Sequence, residues 1–229
     1  MDRREFLRVT GAGALTLFLS GCGINAVSGD KKAGAAAAQS AEAKPGGVSQ
    51  GKKLKIVVLC GSPHRNGTSA LLADKFIEGA KSNGHEVFRF NAAFEDIHPC
   101  QGCDACGMNG PCVIKDAIEN DLIQKLVNCD MIVLVTPLYY FGFSAQLKTV
   151  IDRFYSRTGS IHHKKSALMA TAWNNDSWTM TALKAHYTRL CEYMEWQDQG
   201  QIYATGCGYR SAVENSDFPA QALALGKKV

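Results

Sequence analysis

The stretch "KLKIVVLCGSPHRNGTSALLADKFIEGA", residues 53–80, predicts a strand, a polar loop and a helix in succession. Its apolar run Ile56–Cys60 is rich in β-branched residues and is followed by Gly-Ser-Pro, which is typical of a buried strand. Apolar residues then recur on one helical stripe, with Thr68 or Ser69 as the expected cap and Gly84 at the expected end. The folded part of the chain is therefore expected to begin here, near Lys53.

The same alternation continues to the end of the chain. Further strands are predicted at 85–92, 130–140, 164–173 and 201–208. Helices are predicted at 68–84, 117–129, 144–156, 178–196 and 218–228. Apolar strands that alternate with helices predict an α/β fold, in which helices cover both faces of a parallel sheet.

The overall composition is that of one ordinary globular domain. The chain has 229 residues, of which 46% are hydrophobic and 20% are charged, so it can bury a sizeable core. Its formal net charge is only +4, and neither a long basic run nor interleaved aromatic and basic residues occur. We therefore expect no nucleic-acid partner.

Residues 1–22, "MDRREFLRVTGAGALTLFLSGC", look like an export signal. Arg3 and Arg4 precede a short apolar run, as in a bacterial twin-arginine signal, and "LSGC" looks like a lipobox with Cys22 as the lipidated residue. We expect export by the twin-arginine route and a membrane-anchored lipoprotein that faces the periplasm or the cell exterior. The alternative is a cytoplasmic protein with an uncleaved apolar N-terminus.

Residues 23–52 are rich in Ala, Gly and Lys and contain no aromatic residue. Such a segment buries too little apolar surface to offset the entropy lost on ordering, so it is predicted to be a flexible tether. The domain organisation that follows is a signal at 1–22, a tether at 23–52 and one folded domain at 53–229.

The loop "GSPHRNGTS", residues 61–69, has the features of a phosphate cradle. Its glycines allow close approach of a ligand, and the helix that follows offers unpaired N–H groups and the positive end of its dipole. It matches neither G-x-x-x-x-G-K-[ST] nor G-x-G-x-x-G, which argues against a triphosphate or Rossmann-type site. An ordinary polar loop is the alternative. The candidate ligand-binding residues are Ser62, His64, Arg65, Asn66, Gly67, Thr68 and Ser69.

Two later loops follow predicted strands and carry aromatic residues, which suits a flat ring bound beyond the carboxyl ends of the strands. Core packing is the alternative, although several consecutive aromatics cannot all point inward. The candidates are Pro137, Leu138, Tyr139, Tyr140, Phe141 and Gly142 in one loop, and Trp173 and Asn174 in the other.

The stretch "CQGCDACGMNGPC", residues 100–112, places Cys100, Cys103, Cys106 and Cys112 within thirteen residues. Disulfides are possible outside the cytoplasm, and zinc binds four thiolates, usually in two separated C-x2-C pairs. The C-x2-C-x2-C run is closer to ferredoxin ligation and favours a [4Fe–4S] cluster, while metal-free redox or structural thiols remain open.

The other cysteines carry no such pattern. Cys60 and Cys129 adjoin strands and Cys191 lies on a helix, so these three are predicted to be buried small hydrophobic residues. Cys207 lies in a turn between glycines and receives no role.

Taken together, the phosphate loop, the Pro-aromatic loop with the following "SAQLKTVIDR" and the interposed cysteines resemble the NAD(P)H-dependent FMN reductase branch of the flavodoxin-like fold, nearest to its iron–sulfur flavoproteins. The resemblance covers residues 53–228. It implies a three-layer sandwich with a five-stranded parallel sheet in the order 2-1-3-4-5. It also implies that FMN lies with its isoalloxazine along residues 137–142. By the same resemblance, the FMN phosphate would be held by Ser62, Arg65, Asn66, Thr68 and Ser69.

The resemblance implies an FMN-dependent oxidoreductase in which the flavin, not a side chain, carries the chemistry. It implies NAD(P)H as a possible electron donor, a redox partner protein or a small acceptor such as a quinone, and a homo-oligomer (a dimer or tetramer). Three alternatives stay open. The chain could be an NAD(P)H-dependent FMN or quinone reductase without a cluster, a non-enzymatic flavodoxin-like electron carrier, or a metal-binding structural lipoprotein without flavin.

Overall fold

The computed structural model describes residues 52–229. The predicted signal with Cys22, and the tether up to residue 51, lie outside the described residues. Among the residues that are described, no helix is both long enough and apolar enough to cross a membrane.

Five parallel strands form one sheet in the order β2-β1-β3-β4-β5, as predicted. The strands are β1 (Lys55–Cys60), β2 (Glu86–Asn91), β3 (Met131–Pro137), β4 (Lys165–Thr171) and β5 (Gln197–Ala204). All seven residues of β3 are buried, because this strand lies in the middle of the sheet with helices over both faces. Its sequence, in which Thr136 is the one polar residue, follows from that position.

Within residues 52–229, seven α-helices and several shorter helical turns surround the sheet. The helices are α1 (Thr68–Ser82), α2 (Ile123–Asn128), α3 (Ala145–Arg153), α4 (Thr158–Ile161), α5 (Thr181–Met194), α6 (Arg210–Glu214) and α7 (Phe218–Lys228). A π-helical turn, Ile118–Leu122, leads directly into α2. Two 3-10 turns, Ala92–Phe94 and Phe154–Arg157, follow β2 and α3.

The core consists of two apolar layers, one on each face of the sheet. Alternate residues of each central strand enter opposite layers, so Leu134 belongs to one and Val133 to the other. The first layer is completed by α2, α3 and α5, and the second by α1, α6 and α7. This is the predicted three-layer sandwich.

Helices α1 and α7 approach each other through glycine. A Cβ atom on Gly79 would lie 2.2 Å from the carbonyl oxygen of Leu223, and one on Gly226 would lie 2.1 Å from that of Phe76. The two backbones are therefore in contact at positions where any side chain would collide with the opposite helix.

Two local predictions were wrong, and one predicted helix differs in the type of its first turn. Neither Thr68 nor Ser69 caps α1, which has Gly67 at its N-cap and no side-chain cap. The helix predicted at 117–129 begins as a π-helical turn. Strand β5 begins at Gln197 rather than near Gln201, because its first half lies exposed at the edge of the sheet and needs no apolar residues.

Candidate functional site

Four loops meet at the carboxyl edge of the sheet, where the fold predicts a ligand. The loop after β1 is joined to α3, because the hydroxyl of Ser144 donates to the carbonyl of Gly61 at 2.8 Å. The loops after β4 and β5 are joined by a hydrogen bond from the Cys207 N–H to Ala172, at 2.7 Å. The predicted phosphate loop and aromatic loops thus share one edge.

The loop 61–67 is a compact turn with its backbone drawn tightly together. The hydroxyl of Ser62 accepts from the His64 N–H at 3.2 Å, and the Gly67 N–H donates to the His64 carbonyl at 3.1 Å. A Cβ atom on Gly67 would lie 2.8 Å from Cβ of His64, so the turn requires glycine there. The side chains of His64, Arg65 and Asn66 project from this turn into solvent.

The N-terminus of α1 remains open towards this loop. No side chain caps the helix, so the N–H groups of its first turn keep their donor capacity. The hydroxyls of Thr68 and Ser69 instead contact the hydroxyl of Thr171 at the end of β4, at 3.1 and 2.8 Å. These two residues can therefore offer an anion their backbone N–H groups more readily than their side chains.

Two arginines flank the phosphate loop. The guanidinium of Arg65 lies 3.9 Å from the centre of the Phe94 ring, which holds it beside the loop. Arg210, which follows β5, donates to the carbonyl of Asn66 at 3.1 Å. Residues 63–68 and 208–210 line a common groove, so its positive charge comes from both sides.

The loop after β3 presents its aromatic residues on a tight turn. Tyr139 and Gly142 exchange backbone hydrogen bonds, and the two residues between them, Tyr140 and Phe141, both have positive φ angles of 46° and 66°. For bulky residues this conformation is unfavourable by about 1–2 kcal/mol each, so the turn lowers the stability of the fold. Tyr140 is fully exposed at its tip.

Six exposed aromatic side chains collect at the carboxyl edge. Phe141 lies 5.4 Å from Trp178 and Trp173 lies 5.8 Å from Tyr209, measured between ring centres. Exposed apolar groups gathered in one place mark a binding surface rather than a core. The six are Tyr139, Tyr140, Phe141, Trp173, Trp178 and Tyr209.

Three of the predicted ring-binding residues are engaged elsewhere. Pro137 is buried at the end of β3, and Leu138 packs partly against the core. The side-chain amide of Asn174 donates to Asp176 at 3.1 Å, and its oxygen accepts from the Asp176 N–H. These contacts stabilise the conformations of the two loops.

The four clustered cysteines all line one pocket. The loop that carries them turns repeatedly, with positive φ angles at Gly102, Asp104, Gly107 and Met108. Cys100 and Cys103 are exposed, Cys106 is half-buried and Cys112 is buried. The chain therefore wraps its thiols around a common space.

The chemistry of these four thiols suits a thiolate-bound metal centre. A tetrahedral zinc site with Zn–S bonds of about 2.3 Å places its sulfur atoms about 3.8 Å apart. Within residues 52–229, no three of these thiols lie within 4.8 Å of one another. All eight cysteines of the described part are free thiols. The thiols thus lie further apart than around one bound zinc ion, and by their chemistry they suit a thiolate-bound iron–sulfur cluster or zinc.

A buried ion pair fastens both ends of the cysteine loop. Arg153, the last residue of α3, donates to both carboxylate oxygens of Asp116, and also to the carbonyls of His98 and Ile114 at 3.0 and 3.1 Å. Burial by itself would raise the pKa of Asp116. The hydrogen bonds from Arg153 and from the backbone of His98 and Glu119 outweigh it and hold this pKa below its usual value.

Tyr155 forms part of the wall of the same pocket. Its hydroxyl donates to Asp104, in the middle of the cysteine loop, at 2.7 Å. This hydrogen bond to a carboxylate raises the pKa of Tyr155 above its usual value. Arg153 at the end of α3 therefore contacts the loop at its ends, and Tyr155 just after α3 contacts it at its centre.

Cys60, Cys129 and Cys191 are buried as predicted. They lie within the two core layers, and Cys207 is buried as well. Burial raises the pKa of Cys129 and of Cys191 to about 11, so both are inert thiols.

Five important residues were missed by the sequence analysis. Only Arg153 could have been recognised from the sequence, because a charged residue on the apolar stripe of a helix implies a buried partner. The others depend on contacts between distant segments, which no local pattern reveals. The five are Asp116, Arg153, Tyr155, Thr171 and Arg210.

Comparison with known proteins gives a consistent result. The model of a family described as NADPH-dependent FMN reductase matches residues 54–201, more than half of the chain. An iron–sulfur flavoprotein of Methanocaldococcus jannaschii is 33% identical over 100 residues, which cover 44% of this chain and 51% of that protein. One from Archaeoglobus fulgidus is 38% identical over 98 residues, 43% of this chain and 49% of that protein. The chain thus matches about half the length of these curated relatives.

Solved structures agree on the fold. An NAD(P)H:quinone oxidoreductase from Methanothermobacter marburgensis superposes with a TM-score of 0.61 at 15% identity, covering 77% of this chain and 96% of that one. A flavone reductase gives a TM-score of 0.59 at 18% identity, covering 75% and 60%. At these identities the likeness establishes the flavodoxin-like architecture.

Proposed function

Because the chain belongs to the NADPH-dependent FMN reductase family, we propose that it is an oxidoreductase that passes electrons between FMN and a [4Fe–4S] cluster bound by its cysteine loop. One observation carries the proposal. The four cysteines line a single pocket that is fastened to the end of α3, and α3 begins directly after the exposed aromatic turn.

In this proposal the phosphate of FMN binds at the open N-terminus of α1. The backbone N–H groups of Thr68 and Ser69 face a negative charge there, and the helix dipole favours it. Arg65 and Arg210 stand on either side of the loop and supply the compensating positive charge. Ser62, His64, Asn66 and Gly67 shape the turn around the phosphate.

The flavin ring would lie against the exposed aromatic turn of residues 139–142. Tyr139 and Phe141 offer apolar surface there, and Trp173 projects from the neighbouring loop. Such a surface binds the flat ring, orients it and excludes water from one of its faces. The bound flavin supplies hydride and electron transfer, so the protein needs no catalytic side chain.

The cysteine pocket would hold the cluster through Cys100, Cys103, Cys106 and Cys112. The exposed Cys100 and Cys103 leave one side of the pocket open to solvent, where a partner could approach. Helix α3 has nine residues, so it spans about 14 Å between the aromatic turn and the cysteine pocket. A helix clamped at both ends keeps the two sites at a fixed separation.

NAD(P)H is the proposed electron donor, and a quinone-like molecule or a redox protein is the proposed acceptor. The exposed rings of Tyr140 and Trp178 extend the aromatic surface beyond the flavin position, which gives a second planar molecule somewhere to stack. We further propose that the protein is a homo-oligomer, exported by the twin-arginine route and held at the membrane by a lipid on Cys22.

Anaerobic isolation of the full chain, followed by flavin and iron analysis, tests the proposal. We expect one FMN and about four irons per chain, the number in a [4Fe–4S] centre. Cys103→Ala should lose the iron and keep the FMN, because Cys103 lines the pocket but contacts no part of the proposed flavin site. The matched control is Cys191→Ala, a buried thiol of α5 that should leave both contents unchanged.

The alternatives give different results. Flavin without iron in the wild-type protein would indicate a reductase whose cysteines are structural. Flavin and iron without turnover of NAD(P)H and a small acceptor would indicate an electron carrier. Protein that releases no FMN on denaturation would overturn the whole proposal.

A further inference from the structure

A second cluster of ligating side chains lies at the opposite edge of the sheet. His162 and His163 occupy the turn that leads into β4, and Glu195 occupies the turn that leads into β5. These two strands are neighbours, with Lys165 paired to Gln197 at their amino ends. The cluster is therefore at the amino edge, away from the phosphate loop and the aromatic turn.

The three side chains already converge. One ring nitrogen of each histidine and one carboxylate oxygen of Glu195 all lie within 4.8 Å of one another. Nδ1 of His163 is 3.1 Å from a carboxylate oxygen of Glu195. Across residues 52–229, no other three His, Cys, Asp or Glu side chains come together in this way.

The two turns that carry the cluster are fixed to each other. The His163 N–H donates to the carbonyl of Met194 at 3.0 Å, and the Gln197 N–H donates to that of Lys164 at 2.8 Å. The indole of the buried Trp196 donates to the carbonyl of Ile161, also at 2.8 Å. The backbone that carries the three ligands is thus held by hydrogen bonds between the two turns.

Two of the three ligating residues have a backbone conformation that is unfavourable for residues other than glycine. His163 and Glu195 have positive φ angles of 57° and 53°. Glu195 ends α5 in the left-handed position that glycine most often occupies, so glycine would be the more stable choice for the turn alone. In addition, Nε2 of His162 is buried and has no hydrogen-bond partner among the described residues. The positive φ angles of His163 and Glu195 lower the stability of the fold, and binding of a cation to these side chains would offset that loss.

We propose that His162, His163 and Glu195 form a binding site for Zn²⁺ or a divalent transition metal of similar preference. Two imidazoles and one carboxylate are a donor set that zinc takes readily, with a water in the fourth position. With zinc–ligand bonds of about 2.0–2.1 Å, the ligand atoms of a tetrahedral site lie about 3.3 Å apart, close to the present His163–Glu195 separation. The nitrogen ligands disfavour Mg²⁺ and Ca²⁺, which prefer oxygen.

Zinc titration of the full chain, followed by calorimetry, tests this site. Glu195→Gly and His163→Asn each remove one ligand and place a residue that accepts a positive φ angle. We expect each variant to bind one equivalent of Zn²⁺ less than the wild type, or to bind that equivalent at least tenfold more weakly. Glu192→Gln, an exposed acidic residue one turn earlier in α5, is the matched control and should bind like the wild type.

The cysteine loop can also bind zinc, but it is the same in the wild type and in all three variants. A difference in zinc binding between the wild type and a ligand variant therefore reports on the new site alone. In metal-free buffer Glu195→Gly should melt at the same temperature as the wild type or higher, which excludes unfolding as the cause of lost binding. Unchanged zinc binding in both ligand variants would overturn the inference. Because flavin and iron play no part in the measurement, its result is independent of the proposed redox function.

Discussion

The guanidinium of Arg153 meets the carboxylate of Asp116 in a two-point ion pair, with N–O distances of 2.7 and 3.2 Å and both side chains only 1% exposed. The pair joins the end of α3 to the residues just after the cysteine loop. Two further hydrogen bonds from Arg153 reach the carbonyls on either side of that loop. One side chain therefore fixes where the loop leaves the domain and where it returns.

Removing one partner of this pair should be costly. Arg153→Met leaves the carboxylate of Asp116 buried without its counter-charge, and we expect unfolding in urea to show a loss of about 3–5 kcal/mol. Adding Asp116→Leu should recover part of that loss, because the unpaired charge is then gone. Arg189→Met, at an exposed ion pair of α5, is the control and should cost less than about 1 kcal/mol. Equal losses of unfolding free energy in the two arginine variants would contradict this role of the Arg153–Asp116 pair.

The same pair makes the fold sensitive to acid. The folded-state pKa of Asp116 lies below the usual value of 3.8, so its contribution to stability is complete above about pH 4 and is lost as the pH falls through the folded pKa. Asp130, whose pKa is also lowered, mainly by a hydrogen bond from the Lys55 N–H, adds to the effect. Urea unfolding at a series of pH values should show stability falling below pH 4. Asp116→Asn should be less stable at neutral pH and should show a shallower fall.

Thiol labelling should divide the cysteines into two groups. At pH 8 a thiol with a pKa of about 11 is a thiolate in only about one molecule in a thousand, so Cys129 and Cys191 should resist iodoacetamide in the native protein. In cluster-free protein the exposed Cys100 and Cys103 should react first. Mass spectrometry of peptides taken at intervals gives the order. Early labelling of Cys191 would show that the core over α5 is open.

The phosphate loop can be tested with a ligand that lacks phosphate. Gly67→Ala places a Cβ atom 2.8 Å from that of His64 and must distort the turn. We expect the dissociation constant of FMN to rise at least tenfold, or about 1.4 kcal/mol, while that of riboflavin stays nearly unchanged. Fluorescence titration measures both. Gly159→Ala, where the added atom meets only ordinary contacts, is the control. Parallel weakening of both ligands would place the phosphate elsewhere.

The N-terminal predictions lie outside the described residues and need a cellular test. Cys22→Ala should move the exported protein from the membrane fraction to the soluble fraction, because it removes the proposed lipid attachment site. Replacing Arg3 and Arg4 by lysine should leave the precursor in the cytoplasm. Fractionation and immunoblotting measure both. A wild-type protein found only in the cytosol would refute export and anchoring together.

The alternation of apolar strands with helices was enough to predict a parallel sheet, because buried strands such as β1 and β3 are mostly apolar, whereas the strand order came from the family resemblance. Strand β5 was placed four residues late, since its exposed first half carries no pattern. The loops of the candidate site were recognised because glycine, proline and consecutive aromatics act locally. Contacts such as that between Arg210 and Asn66, 144 positions apart, could not be foreseen from local sequence.

The Arg153–Asp116 ion pair also limits how the cysteine loop could be moved into another protein. Arg153 and Asp116, which hold the cysteine loop in place, are not within it, and Arg153 lies 41 positions beyond Cys112 on a separate helix. Grafting residues 100–112 onto a cysteine-free scaffold of the same architecture would therefore transfer the ligands without their anchorage. A working graft would need an arginine at the end of the recipient's third helix and an aspartate after the inserted segment. The cysteine loop and the ion pair that anchors it would have to be transferred together.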